Sequence, residues 1–396
     1  NVAGLGEALY GVRDELPTFR GHNEQSMAHI AIAYAKQKQR RRMMAVTTSI
    51  GPGATNLATA AALAHVNRLP VLLPGDVFAT RAPDPVLQQV ESFADGTLSA
   101  NDCLRPISRY FDRITRPEQL LQALPKAMSV LTDPADCGPV TLGLCQDVQA
   151  EAWDYPTSFL APRIWQLRRI APDDAELARA VACLKAAKRP LIIAGGGARY
   201  SGAASALADF AAGAGIPVAA TQAGKSTLVE AHEMYVGSLG VTGASAANSL
   251  AASADVVLAV GSRLQDFTTG SNSLIGGQVI ALNIQPHDLV KHRAMPLMAD
   301  ALRGIEALAS AMAGYATKGS YRGEISAKWG DWMKDVGAVC SAPVDSNALP
   351  SDSQVIGAVN RSCPPETIVV GAAGSMPGEL HKLWQVGAVD GYHMEY

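Results

Sequence analysis

An acidic residue and a glycine-rich turn near the amino terminus are the residues of this sequence best suited to carry chemistry. Glu24 stands where an alanine-rich helical pattern begins, and an apolar run further on ends in Gly51-Pro52-Gly53. Because glycine has no β-carbon, this turn lets a flat ligand lie against bare backbone. Glu24 alone is equally well explained as an acid at a helix N-terminus, where the helix dipole stabilises its charge. The pattern thus leaves a binding site and a structural role both open.

Local elements must hold these groups in place. The pattern after Gln25 predicts a helix, with a buried strand at residues 43–48 before the glycine turn. Thr55 and Asn56 follow the turn and are predicted to cap the next helix. The apolar positions expected to pack are Met27, Ile30, Ala31 and Tyr34.

Alternating helices and short apolar runs predict an α/β fold with parallel sheets. Region 1–154 has strands at residues 43–48, 71–74 and 140–144, and helices that begin near Gln25, Asn56 and Pro117. A linker (155–172) leads to a second α/β domain (173–313), with strands at 190–194, 218–221, 256–260 and 279–283. A second linker (314–350) precedes a third unit (351–396), with a helix at 353–360 and a strand at 367–370.

Two further glycine turns follow predicted strands. Gly195-Gly196-Gly197 could cradle a phosphate but lacks the full Gly-x-Gly-x-x-Gly fingerprint, so it is weak support for a dinucleotide. Gly374, Ser375 and Met376 lie at a strand-to-loop crossing that also has room for a phosphate.

Composition excludes several classes of protein. The chain has 396 residues, a net charge of -3 and 48% hydrophobic residues, which suits two to three packed domains and gives no electrostatic case for nucleic acid or a membrane. The basic run 36–42 is expected to be a solvated helix end. Six cysteines stand without zinc-like spacing, and no signal peptide or long apolar segment occurs, so we expect a cytoplasmic protein.

The combination of motifs resembles the thiamine-diphosphate enzymes of the acetolactate synthase type. Glu24 at a helix start, followed by residues 49–57, is similar to the family's pyrimidine-binding domain, and the second α/β domain resembles its central domain. The segments that carry the second resemblance are 195–197, 240–243, 260–267 and 283–288. The resemblance implies three consecutive parallel-sheet α/β domains, with the first strand lost upstream and the third domain incomplete.

This resemblance also implies roles for particular residues. Glu24 would hydrogen-bond a ring nitrogen of the cofactor's aminopyrimidine and drive its activation. A glutamine in the 83–91 connection, Gln88 or Gln89, would approach cofactor and substrate, although a solvated loop explains both equally well. The cofactor-binding set predicted from the turns and the resemblance is Glu24, Gly51, Pro52, Gly53, Asn56, Gly374, Ser375 and Met376.

The resemblance leads to different expectations for a metal ion and for a flavin. The family's Gly-Asp-Gly motif, which holds Mg²⁺ and through it the diphosphate, does not occur in the 396 residues, so no metal ligand is predicted here and the site is expected beyond Tyr396. Some relatives hold FAD in the central domain, and we expect none in this one. Because the family builds its site from two subunits, a homodimer or a dimer of dimers is expected.

Several segments resemble a narrower group of the family, which hydrolyses a carbon–carbon bond of a cyclic 1,2-diketone in myo-inositol breakdown and gives 5-deoxyglucuronate. They are residues 20–24, 40–50, 73–79, 108–114, 145–152 and 374–384. His22, and His65 with Asn67, are candidate acid-base groups, although a structural role is the stronger interpretation for each histidine. The alternatives are an acetolactate-synthase-like carboligase and a non-catalytic α/β protein that lost the metal motif.

Overall fold

A computed structural model describes residues 3–77, 98–345 and 347–394, with the backbone alone at 75–77. The chain divides into two compact units, Asn1–Arg168 and Arg169–Tyr396. No helix in these ranges combines the length and apolar composition needed to cross a bilayer.

The first unit is built on a three-stranded parallel sheet. Its strands are β1 (Val71–Val77), β2 (Tyr110–Ile114) and β3 (Pro139–Cys145), in the order β1-β3-β2. The helices are α1 (Ala3–Gly11), α2 (Glu24–Gln37), α3 (Pro52–Thr55), α4 (Ala58–Asn67), α5 (Leu120–Leu131) and α6 (Thr157–Leu160), with 3₁₀ helices at Ala100–Ile107, Pro117–Gln119 and Val148–Ala150.

Two local predictions in this unit were wrong. Residues 43–48 form no strand, and only Ala45 bridges Leu72 in parallel register. Of the residues predicted to pack on α2, Ile30 is 60% exposed, whereas Ala31 is buried and Met27 and Tyr34 are half-buried. The other buried residues of α2 are Ala28, Ile32 and Ala35. Apolar residues occur almost all around α2, so their spacing fits more than one face. Small alanines form the buried face because they let α2 pack closely on α4.

The second unit contains a six-stranded parallel sheet. In chain order its strands are β4 (Pro190–Ala194), β5 (Val218–Ala220), β6 (Tyr235–Ser238), β7 (Val256–Val260), β8 (Gln278–Asn283) and β9 (Met295–Met298). Their spatial order is β6-β5-β4-β7-β8-β9, so the strand order reverses between β4 and β7. Every residue of β4 and β7 is buried, as expected when helices cover both faces of a parallel sheet.

Helices cover this sheet and continue into a small C-terminal module. The helices are α7 (Asp174–Ala186), α8 (Gly196–Tyr200), α9 (Ala204–Ala214), α10 (Ser245–Ser253), α11 (Asp266–Thr269), α12 (Pro286–Leu289), α13 (Ala301–Ala311) and α14 (Gly319–Cys340), with a 3₁₀ helix at Lys291–Arg293. The C-terminal module consists of α15 (Asp352–Ser362), β10 (Val369–Gly371), α16 (Ser375–Leu383) and β11 (Tyr392–Met394), with β10 parallel to β11.

Helix α14 lies in the segment predicted as a linker. Its buried residues Tyr321, Ile325, Val336 and Cys340 follow helical spacing, and Tyr321 and Ile325 belong to the core that α10 forms on one face of the sheet. The predicted domain boundaries stay predictions, but this segment contains a packed helix of 22 residues rather than irregular chain.

The glycine turn after β4 packs directly against the backbone of another loop. The backbone N–H of Gly197 donates to Gly261 O at 2.9 Å, and Gly261 has a φ of 58°, which favours glycine. A β-carbon on Gly195 would lie 2.5 Å from Gly261 O and 2.6 Å from the Cα of Ser262. The turn therefore contacts the loop after β7 directly, at the point where the strand order reverses.

We predict that Gly195→Ala lowers the free energy of unfolding by about 2 kcal/mol, because the added methyl group overlaps rigid backbone. Chemical denaturation measures the change. The matched control is Gly213→Ala in α9, where nothing lies within 4 Å of the new atom, and it should be neutral or stabilise by up to about 1 kcal/mol. Equal stability of the two variants would show that the turn accommodates a methyl group at position 195 without overlap.

Candidate active site

Glu24 is the first residue of α2 and is half-buried. The helix begins there because the side chain of Asn23 accepts a hydrogen bond from the N–H of Ser26 at 3.0 Å, which satisfies one of the free amides of the first turn. A carboxylate at this position is stabilised by the positive end of the helix dipole. The sequence thus fixes both the start of the helix and the place of its acid.

The glycine turn brings its backbone next to this carboxylate. Gly51 has a φ of 62° and a ψ of -123°. Pro52 then begins α3, because its ring fixes the backbone φ at a value that suits the first turn of a helix. A β-carbon built on Gly53 would lie 3.6 Å from Oε1 of Glu24. Since glycine carries no such atom, the space beside Glu24 stays open to a flat group.

Asn56 completes the arrangement in a way that the sequence did not reveal. Its Nδ2 donates a hydrogen bond to Oε2 of Glu24 at 2.9 Å. The predicted capping role was wrong, because Leu57 precedes α4 and no side chain caps that helix. The bond from Asn56, and then the backbone N–H of Glu24, hold the pKa of Glu24 below its ordinary value. Glu24 is therefore an ionised acceptor above mildly acidic pH.

The other predicted acid-base residues differ in position. His22 lies exposed in the turn just before Glu24, and its catalytic role stays a prediction. The Nδ1 of His65 lies 3.1 Å from Ile107 O, which ties α4 to the end of the 3₁₀ helix Ala100–Ile107 and favours the structural interpretation. The backbone O of Asn67 accepts a bond from Arg40. Gln88 and Gln89 lie outside the described residues.

The second predicted ligand loop lies in the other unit. Gly374, with a φ of 138°, connects β10 to α16, and Ser375 is the first residue of that helix. Gly374 and Ser375 are exposed, and Met376 is half-buried. Amides in the first turn of a helix lack intrahelical partners and can bind an anion. Within the described ranges no three His, Cys, Asp or Glu residues are grouped to hold a metal ion.

Two segments of the chain match models of known protein families. Residues 2–91 match the family model described as thiamine pyrophosphate enzyme, N-terminal TPP binding domain, and residues 177–308 match the central domain of the same enzymes. The first match contains Glu24, the glycine turn and Asn56, and the second contains all six strands of the larger sheet. The chain belongs to the thiamine pyrophosphate enzyme family.

Two individual proteins are similar to this chain over its whole length. The chain is similar over its whole length to the 3D-(3,5/4)-trihydroxycyclohexane-1,2-dione hydrolase of Geobacillus thermodenitrificans strain NG80-2, at 44% identity, and it covers 65% of that protein. The protein of the same name from Bacillus cereus strain AH820 is 43% identical over the whole chain, which covers 66% of it. The chain thus spans about two thirds of the length of these relatives.

We predict that Asn56→Ala raises the pKa of Glu24 towards its ordinary value, because the carboxylate loses the donor that most favours its charged form. A pH titration of the ¹³C-labelled Glu24 carboxyl by NMR measures it. The control is Thr55→Ala in the neighbouring position, whose hydroxyl donates to Pro52 O rather than to Glu24.

The hydrogen bond from Asn56 to Glu24 also makes the stability of the folded state depend on pH. Because its pKa is lowered in the folded state, the stabilisation is present above the unfolded value of 4.5 and is lost as the pH falls through the folded value. An unchanged Glu24 pKa in Asn56→Ala would show that the helix terminus alone sets it.

Proposed function

We propose that this protein binds thiamine diphosphate beside Glu24 and hydrolyses a carbon–carbon bond of 3D-(3,5/4)-trihydroxycyclohexane-1,2-dione, giving 5-deoxyglucuronate. The observation that carries the cofactor proposal is the Glu24 carboxylate, held by Asn56 and facing the bare backbone of Gly53. The substrate proposal is supported by the 44% identity to a relative that carries the hydrolase name.

The chain's own groups suit the aminopyrimidine end of the cofactor. Glu24 would accept a hydrogen bond from a ring nitrogen and hold its proton, and Asn56 keeps the carboxylate oriented and ionised until then. The turn at Gly51 and Gly53 would let the flat ring lie against backbone without a side-chain clash. When bound, thiamine diphosphate would supply a nucleophilic carbon and an electron sink for cleavage of the carbon–carbon bond.

The diphosphate end would be held elsewhere. The turn at Gly374, Ser375 and Met376 is exposed and leads into α16, which supports anion binding there. We include Mg²⁺ as a second cofactor on the chemistry of a diphosphate, without assigning ligands to it. We also propose a homodimer or a dimer of dimers, because this family pairs the two ends of the cofactor across subunits. The six cysteines, all free thiols, support a cytoplasmic location.

An acetolactate-synthase-like carboligase is the second candidate, since the same Glu24 site would serve both reactions. The two functions differ in their products. Incubation with the cyclic dione should give the open-chain acid, and incubation with pyruvate should give no acetolactate. Formation of acetolactate alone would reverse the assignment.

The central test is Glu24→Gln. We expect the variant to lose at least about 10²-fold in turnover of the dione while its thermal unfolding stays close to wild type, because a neutral amide cannot accept the proton. Steady-state assay of the acid product measures the loss. Glu15→Gln is the matched control, since Glu15 is exposed in the same unit, and it should retain full activity. Wild-type turnover in Glu24→Gln would refute the role given to Glu24.

We further expect that the central domain carries no flavin. The Gly197 amide, which a phosphate would need, is bonded to Gly261 O, and the hydroxyl of Thr221 after β5 accepts the N–H of Gly224. Residues 221–224, which directly follow β5, include no acidic side chain of the kind that binds a ribose in dinucleotide folds. The absorbance of the purified protein near 450 nm checks this, and stoichiometric flavin there would contradict it.

A further inference from the structure

The carboxyl ends of β5 and β6 are covered by the C-terminal module through buried polar contacts. We call these contacts the seam. Its members on the sheet side are Arg199, Gln222, Lys225, Ser226, Ser238 and Thr242, and those on the module side are His381, Asp390 and Tyr392.

Helix α16 is held at its last turn. The hydroxyl of Ser238 donates to His381 O at 2.5 Å, and Thr242 Oγ1 lies 3.0 Å from His381 Nδ1. His381 is 1% exposed. A β-carbon on Gly378 would lie 3.0 Å from Cγ2 of Thr242. The helix thus contacts Thr242 at two successive turns, which leaves it little freedom to slide or rotate.

Strand β11 is held by a second set of bonds. Arg199 donates from Nε to Asp390 Oδ1 and from Nη1 to Tyr392 O, both at 2.9 Å. The hydroxyl of Tyr392 donates to Gln222 Oε1 at 2.9 Å, and Ser226 accepts the N–H of Tyr392. The two bonds from Arg199 are charge-assisted, and such bonds are short and directional, so they fix orientation as well as contact.

Lys225 lies between the two sets. It is fully buried, its Nζ lies 3.4 Å from Ser238 Oγ, and it faces the ring of Tyr392 at 5.6 Å. Burial lowers the pKa of Lys225, and burial together with Lys225 lowers the pKa of His381 to about 3. Burying these groups costs stability, whereas apolar residues of similar size would fill the space at no such cost. The polar groups instead form directional hydrogen bonds with α16 and β11.

We propose that His381, Ser238 and Thr242 are positioning residues, which dock α16 on the carboxyl edge of the six-stranded sheet and thereby hold the turn at Gly374, Ser375 and Met376 in the geometry that binds a diphosphate. The proposal rests on the proposed function, because it assigns the diphosphate to that turn. It gives the central sheet a role that needs no cofactor of its own. At the carboxyl ends of β5 and β6, the chain itself occupies part of the edge at which a dinucleotide fold binds its ligand.

The test compares His381→Leu, which removes the bond to Thr242, with His381→Asn, whose amide reaches the position of Nδ1. Thr242→Val removes the same bond from the other side and preserves the shape of the side chain. Titration calorimetry with thiamine diphosphate, and separately with inorganic pyrophosphate, both with Mg²⁺, gives the affinities. We expect His381→Leu and Thr242→Val to weaken both ligands at least tenfold, and His381→Asn to restore most of the loss.

Two further variants separate the possible explanations. His287→Leu changes an exposed histidine on α12 and should leave both affinities unchanged. Glu24→Gln should weaken thiamine diphosphate and leave pyrophosphate binding as in wild type. If His381→Leu does not fold, Thr242→Val decides the question.

Lowered melting temperatures with wild-type affinities in His381→Leu and Thr242→Val would show that the seam is structural only and would overturn the proposal. Wild-type protein that binds neither ligand would instead overturn the proposed function, and this proposal with it.

Discussion

The hydrogen bond from Asn56 to Glu24 is the contact on which the cofactor site proposed for the first unit depends. It joins the start of α2 to the end of the turn that carries Gly51 and Gly53, two segments that lie 32 residues apart in the chain. A carboxylate that is already ionised and oriented would need no rearrangement to accept a hydrogen bond from the proposed cofactor, which is the main requirement of a preorganised site. Three features therefore constrain the two carboxylate oxygens of Glu24. They are the start of α2, the glycine backbone and the amide of Asn56.

Small residues allow the elements around this carboxylate to approach one another. Ala28, Ala31 and Ala35 form the buried face of α2, and Ala60, Ala61 and Ala64 are buried on α4. Helices faced with alanine lie closer to their neighbours than helices faced with leucine, so their termini are placed with less freedom. The abundance of alanine in this sequence therefore has a geometric consequence at Glu24.

Much of this arrangement could be predicted from the sequence, because its elements are local. The start of α2, the glycine turn and the fully buried strands β4 and β7 follow from residue types within a few positions. The partner of Asn56 did not follow, since a cap and a long-range donor require the same side chain. The helix at Gly319–Cys340 was missed as well, although Tyr321, Ile325, Val336 and Cys340 have helical spacing. Polar and aromatic residues between them obscured that stripe.

The role of the glycines after β4 could not be predicted either. Gly195 and Gly197 have the composition of a phosphate turn, and only the loop after β7, more than 60 residues away, shows that they pack against backbone. A turn of this kind has the same sequence whether it receives a ligand or another segment of the chain. Sequence patterns therefore identify where backbone is exposed by glycine, but not which group occupies the space.

The seam also constrains the order of folding. Arg199 and Asp390 are 191 residues apart, and Gln222 and Tyr392 are 170 apart, so these bonds close some of the longest loops in the chain. Contacts of such high sequence separation form late, after local helices and the neighbouring parallel strands. As the chain emerges during synthesis, the six-stranded sheet is complete before β11 exists, and Lys225 stays hydrated until Tyr392 and its neighbours arrive. Desolvation of this lysine is thus a late step, and its cost falls on the closing of the C-terminal module rather than on the sheet.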